Sequence, residues 1–439
     1  MKRRRIKFID IFFSAFLLML PFILNSVGSY QMHLPDTYSK PVNQRLDNHL
    51  SEFDYSSYID KQLLHFMSRA ELKGISLAIT HDEKLVFARS YGYANIENAE
   101  AMTPSHLFRI ASVSKLITTV AVLKLVEENR LSLDDKVFGN NGLFNEKEYL
   151  NIRDPKLKDI TVLNLLNHSA GWTQCYGDPA FLPLAIARIM GVEPPITIDT
   201  YLKYVIERRL QYKPGTAYSY SNISFMFLGA IVEKVTGLKY EDYVRYHILY
   251  PNDIIDMHMA RNSFEERYDN EVKYYEQQES EMVLSSKGDS SYVQKVYGGN
   301  DIELLGAAGA WVVSASELAK LMTLIDGYDN VPDILLPETI ALMTESERPL
   351  GWSETNNGYW YRTGNFAGSM AMIGRRPDGL QWVFLSNTRD WQGPGFYKQI
   401  NQLMNRVLKK VDEWPERDLF NYYYPEPLSY YPPLELSVL

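Results

Sequence analysis

The chain has a single cysteine, Cys175, so no disulfide can form within it and no cysteine cluster can hold a metal. Its eight histidines are scattered, with no pair at helical ligand spacing beside a carboxylate pattern, which argues against a metalloenzyme. A basic excess is missing too. The formal charge is −9, and beyond residue 29 there are 40 Lys/Arg against 53 Asp/Glu. That balance repels phosphates and argues against a nucleic-acid partner. Internal repeats and low-complexity tracts are absent.

What is present is the composition of an ordinary soluble enzyme, 46% hydrophobic and raised in aromatics by 31 tyrosines. At 439 residues the chain can bury a large core in two or three domains or lobes. The N-terminus reads as an export signal: MKRRRIK is basic, residues 11–24 are apolar, and NSVGS supplies small residues for cleavage. If the segment (1–29) stays uncleaved it is an anchor, and the only membrane contact the chain makes. The expected location is exported, periplasmic or extracellular.

Residues 30–54 are polar and irregular and read as a spacer. A helix around 58–69 precedes GISLAITHDEKLVFARSYGYAN, in which Ile75, Leu77 and Ile79 alternate with smaller residues up to a turn at 81–84: a β-hairpin. SMAMIGRRPDGLQWVFLSNTR supplies two more strands around the turn at 376–379. A last helix then aligns Phe396, Ile400, Leu403, Val407 and Val411 on one face. Strands at both ends with helices between them predict an α+β fold, one antiparallel sheet flanked by helices with an inserted all-helical lobe. The domain spans 55–412, with an α/β lobe from 55–111 and 300–412 and a helical lobe at 112–299. Residues 413–439 form a Pro/Tyr-rich tail with no packing period.

The chemistry centres on FRIASVSKLITTVAVLKLVEENRLSLDDKV, residues 108–137. Ser112 and Lys115 stand three apart at the mouth of a run apolar on nearly every side. On a helix they share a face, so the lysine can reach the hydroxyl. A buried ammonium requires a partner or a purpose, and if burial lowers its pKa the neutral amine can take the serine proton.

FRIASVSKLITT resembles the nucleophile motif of the serine β-lactamase and penicillin-binding-protein superfamily, particularly its class C-like branch of D-alanyl-D-alanine carboxypeptidases, β-lactamases and esterases. The resemblance continues in order through TVLNLLNHSAGW, KPGTAYSYSNISFMFLGAIVEKVTG, GAAGAWVVSASELAKLM and YRTGNFAGSMAMIGRRPDG. It implies a β-lactamase/transpeptidase-like fold and an acyl-enzyme on Ser112, with Lys115 and Tyr220 as acid/base groups. Tyr220-Ser221-Asn222 matches the Tyr-x-Asn motif, selected by its PGT turn and the apolar helix after it. Asn222 then bonds Lys115 and a substrate carbonyl. Arg362-Thr363-Gly364 departs from the usual Lys-Thr-Gly or His-x-Gly. The arginine keeps a permanent cation suited to a carboxylate and cannot exchange a proton near neutral pH. By resemblance, the N–H groups of Ser112 and Asn365 form the oxyanion hole, with Gly364 leaving room beside it.

The implied protein is a serine hydrolase of amide, ester or β-lactam bonds in a small-molecule or peptide substrate, with Arg362 favouring one that carries a carboxylate. No metal or organic cofactor is implied. The competing reading keeps the fold as a catalytically weak or inactive peptide-binding or sensor protein. His168 reads as a turn-stabilising hydrogen bonder, Cys175 as a loop or pocket-wall residue, and 240–297 as a surface insertion.

Overall fold

Period-two alternation makes Gly74–His81 a strand (β1) whose two faces are both buried, with Ile75, Leu77 and Ile79 in one apolar layer and Ala78 in the other. It turns at Asp82 and Glu83, both at positive φ, into Lys84–Asn95 (β2). Two left-handed residues give the turn the twist a hairpin needs. Glu83 is held there by its carboxylate, which accepts the N–H groups of Asn330 and Val331 at 2.8 and 3.0 Å. Glu100–Ala101 (β3) pairs with the end of β2. The C-terminal half adds Glu354–Asn356 (β4), Tyr359–Phe366 (β5), Ser369–Arg375 (β6) and Leu380–Ser386 (β7). These seven strands form one antiparallel sheet in the order β4-β5-β6-β7-β1-β2-β3, so strands from the first and last quarters of the sequence meet at β7–β1, with Leu77 opposite Phe384.

Helices Ser56–Arg69 (α1) and Pro394–Lys410 (α4) cover one face. Ile59, Leu63 and Phe66 from α1 and Ile400, Leu403 and Val407 from α4 join Leu77, Met372 and Phe384 there. Each such side chain contributes about 1.5–3 kcal/mol by burial. The other face packs against the larger core, which holds Ser114–Glu127 (α2) and Asn222–Thr236 (α3). Helix α2 is buried on nearly every side, as its sequence predicts, and its two threonines are satisfied inside: Thr118 donates to the Ala307 carbonyl at 2.6 Å and Thr119 to that of Lys115 at 2.8 Å.

The computed structural model describes residues 40–174, 177–276, 280–389 and 394–422. Residues 1–29, Cys175 and the end of the tail lie outside the described residues. The chain divides into Met1–Lys40 and Pro41–Leu439, and the fold is that of the second unit.

Four expectations change. From Pro41 onward the supposed spacer is packed: Val42 and Asn43 are buried, and the Asn43 amide donates to Asp256 at 2.8 Å. The tail is docked as far as Tyr422, with Leu419 and Phe420 buried and Trp414 against Phe53 at 5.7 Å. The lobe at 112–299 is not all helical, since His258–Met259 is a strand beside Trp311–Val313, and Met282–Leu284 pairs with Tyr292–Gln294. Residues 240–297 are not a surface insertion either: Tyr240, Tyr243, Tyr274 and Tyr297 are core residues. Their polar look hides partners. The Tyr240 hydroxyl meets Thr118 at 2.7 Å, and that of Tyr274 donates to Glu271 at 2.7 Å.

Candidate active site

The short strand Phe108–Arg109 pairs with Trp311–Val313, and Ile110 then donates its N–H to the Trp311 carbonyl at 3.0 Å. The chain turns through Ala111, at φ +47°, into the 3-10 turn Ala111–Val113 that leads into α2. Ser112 therefore sits just before the helix proper, and Lys115 occupies its first turn.

Lys115 is 0% exposed. Its Nζ lies 3.3 Å from Ser112 Oγ, 2.6 Å from Asn222 Oδ1 and 2.5 Å from the Ala308 carbonyl oxygen. The Tyr220 hydroxyl donates to Ser112 Oγ at 2.7 Å. Tyr220 and Asn222 flank Ser221, which caps α3 by accepting the Ser224 N–H at 3.2 Å. That cap fixes the direction in which both neighbours project. The loop is braced from behind by His168, whose Nδ1 accepts the Ser221 N–H at 3.1 Å and whose ring lies 4.6 Å from that of Tyr220. Burial, with the Arg362 and Lys115 cations adding to it, holds the His168 pKa well below its ordinary value. The imidazole is neutral and acts as a turn brace.

Arg362 is 4% exposed, no surface arginine. Its Nε donates to the Ser112 carbonyl at 2.9 Å and its Nη2 to the Tyr220 hydroxyl at 3.2 Å. Two residues on, Gly364 presses against the Ser112 turn: a Cβ there would lie 2.1 Å from the Ile110 carbonyl oxygen and 3.0 Å from the Ser112 nitrogen. Thr363 and Asn365 alternate to the other side of β5. No hydrogen bond links the Thr363 side chain to Ser112, Lys115 or Tyr220. The Tyr397 hydroxyl anchors this strand end through the Gly364 carbonyl at 2.8 Å. Gly364→Ala is expected to push β5 off the Ser112 turn and cut hydrolysis by about a hundredfold while the sheet persists. Ester turnover measured beside the far-ultraviolet circular dichroism spectrum checks it.

Burial is the largest influence on Lys115 and lowers its pKa; Arg362 lowers it further, against opposing effects of Tyr220 and Asp178. Burial alone would raise the Tyr220 phenol, but the Lys115 and Arg362 cations and the hydrogen bond it makes to Ser112 hold it below its ordinary value. An amine made easier to deprotonate and a phenol made more acidic thus both touch one serine hydroxyl. That arrangement can remove a proton from Ser112 and return it to a leaving group.

Three participants escaped the sequence reading. The Ala308 carbonyl holds the lysine. Asp178 accepts from the Asn222 amide nitrogen at 2.6 Å, and Gln174 bridges Asp178 at 2.8 Å to the Tyr220 carbonyl at 3.0 Å. Asp178-Pro179 is a recognisable turn-capping pair, but nothing local places it beside Asn222, 44 positions away.

Sheet, helices and this cluster define a β-lactamase/transpeptidase-like protein. The chain belongs to the Beta-lactamase family, whose model matches residues 59–403. Protein flp of Staphylococcus aureus (strain N315) is 28% identical over 237 residues, 53% of this chain and 43% of that protein, so the chain spans less than half the length of that curated relative. Among solved structures, the D-amino acid amidase of Ochrobactrum anthropi SV3 matches with a TM-score of 0.62 at 22% identity, covering 81% of this chain and 98% of that one. The D-alanine carboxypeptidase AmpC of Burkholderia cenocepacia matches at 0.60 and 16%, covering 82% and 99%. At such identities the structural likeness establishes the fold.

Proposed function

We propose that the protein is a serine hydrolase that cleaves an amide, ester or β-lactam bond through an acyl-enzyme on Ser112. The observation that carries this reading is the meeting of Tyr220 Oη and Lys115 Nζ on one serine oxygen, at 2.7 and 3.3 Å, with the lysine wholly out of water. Neutral Lys115 takes the Ser112 proton as the oxygen attacks the carbonyl carbon. The negative charge on the carbonyl oxygen falls to the N–H groups of Ser112 and Asn365, each such donor contributing about 3 kcal/mol. Tyr220 gives its own proton to the leaving group and takes back the one held by Lys115, and water then releases the acyl chain. Arg362 steadies both the turn and the phenol. It faces no carboxylate among the described residues, which supports a substrate that brings its own.

The amidase and carboxypeptidase relatives support amides and peptides of D-amino acids as the substrates to try first. Export, by a cleaved signal or an N-terminal anchor, belongs to the same proposal and rests on the basic and apolar pattern of residues 1–29.

The test is covalent. A fluorophosphonate is expected to add once per chain, on the peptide that carries Ser112, and to extinguish p-nitrophenyl ester hydrolysis in step. Stoichiometric binding of a D-Ala-D-Ala peptide with neither labelling nor turnover would sink the hydrolase in favour of a binding protein.

A further inference from the structure

A neutral amine has two N–H groups and one lone pair, and a base must aim the lone pair at the proton it takes. Lys115 Nζ lies 2.6 Å from Asn222 Oδ1 and 2.5 Å from the Ala308 carbonyl oxygen. Oxygens of this kind only accept, so both N–H groups are committed and the lone pair is left to Ser112 Oγ at 3.3 Å. This allocation holds only while Asn222 shows its oxygen to the lysine. The amide is nearly symmetrical in shape, and turned over it would offer an N–H that claims the lone pair.

We propose that Asp178 is a positioning residue for this base: it accepts from the Asn222 amide nitrogen and thereby keeps the Asn222 oxygen on Lys115 and the lysine lone pair on Ser112. The inference rests on the acyl-enzyme reading above. Asp178 Oδ2 lies 2.6 Å from Asn222 Nδ2, and a carboxylate cannot donate, so a turned amide would set oxygen against oxygen. The carboxylate is itself fixed. Its Oδ1 accepts the Ala180 N–H at 3.0 Å, capping the turn Pro179–Phe181, and Oδ2 also receives Gln174 at 2.8 Å. Asp178 touches neither Ser112 nor the reacting atoms; it acts through Asn222.

Its charge has a second consequence. The charged or titratable groups around Lys115 are Tyr220 ahead of α3, Arg362 on β5, Asp178 on its turn and the neutral His168. Asp178 raises the proton affinity of Lys115 and Arg362 lowers it. Removing the acid therefore frees the base at lower pH, and removing the cation delays it to higher pH.

The experiment follows the rate of Ser112 phosphonylation by a fluorophosphonate across pH, read by intact mass, in the full chain and its Asp178→Ala, Asp178→Asn and Arg362→Gln variants. Asp178→Ala is expected to slow labelling at the high-pH plateau by at least about tenfold, because the amide is free to turn. Asp178→Asn, which can still accept from Asn222, loses less, and its acid limb moves to lower pH; Arg362→Gln moves the limb the opposite way. A role in folding alone would lower the melting temperature without moving the limb. Wild-type rates and an unmoved limb in both Asp178 variants overturn the proposal while leaving the hydrolase intact. A wild-type chain that takes no label overturns both.

Discussion

Ser112→Ala is expected to lower ester hydrolysis by roughly four orders of magnitude or more, the largest loss any single substitution should cause. In the proposed mechanism the hydroxyl forms the covalent bond, and no other serine, threonine or cysteine among the described residues is held by both a buried lysine and a tyrosine. The loss falls on kcat, since Arg362, Asn222 and the backbone donors keep their places and substrate binding should change little. Stability should also change little. Ser112 is only half-buried, and without it Tyr220 still receives the Arg362 guanidinium at 3.2 Å while Lys115 keeps its two carbonyl partners. The Tyr220 O–H loses its acceptor while its oxygen keeps the arginine, so the melting temperature should fall by no more than a few degrees. A p-nitrophenyl ester assay with a thermal melt of the same sample reads both quantities. Surviving turnover would move the nucleophile elsewhere.

Lys115→Met should cost nearly as much activity, about a thousandfold, because the proposed general base goes while the proposed nucleophile stays. Here stability moves as well. The substitution keeps the volume but strips Asn222 Oδ1 and the Ala308 carbonyl of their donor, each worth about 1–3 kcal/mol when buried and unpaired. It also changes how stability depends on pH. In the wild type the buried amine has a pKa below its ordinary 10.5, with Arg362 contributing. Between the folded value and 10.5 the unfolded chain therefore binds the extra proton, and stability rises with pH. Tyr220, an acid with a lowered pKa, adds a slope of the same sign between its folded value and 10.0, and Lys115 is one of the causes of that lowering. Lys115→Met removes the first slope and weakens the second. Urea unfolding at pH values below the ordinary lysine pKa of 10.5 should show stability rising more steeply with pH in the wild type than in the variant. Parallel curves would mean that Lys115 keeps its ordinary proton affinity in the folded protein.

Much of this site could be read in the chain because its pieces are local. Ser112 and Lys115 are neighbours on one turn, and Tyr220, Ser221 and Asn222 run straight into a helix start. The two hairpins announced themselves by alternation and turn residues, and the face of α4 by its period. Misreadings came where composition stood in for contact. Residues 41–54 and 240–297 look polar or aromatic and irregular, yet the Asn43 amide nitrogen and the Tyr240 and Tyr274 phenols find partners inside the protein. Thr363, adjacent in sequence to two site residues, points away from them for the simple reason that strands alternate.

The sequence by itself determined the two hairpins of the sheet, the largely apolar α2 and the order of the reactive segments, because periodicity, capping and turn chemistry act over a few residues. Only the tertiary structure decided what the reactive groups are able to do. Arg362 reaches the Ser112 carbonyl across 250 positions of chain, and Lys115 meets Asn222 across 107. The proton affinity of Lys115 depends on water excluded by the whole core and on a cation and a carboxylate brought in from distant segments. Burial and the distances between charges are properties of the assembled fold, and they exist in no stretch of the chain alone.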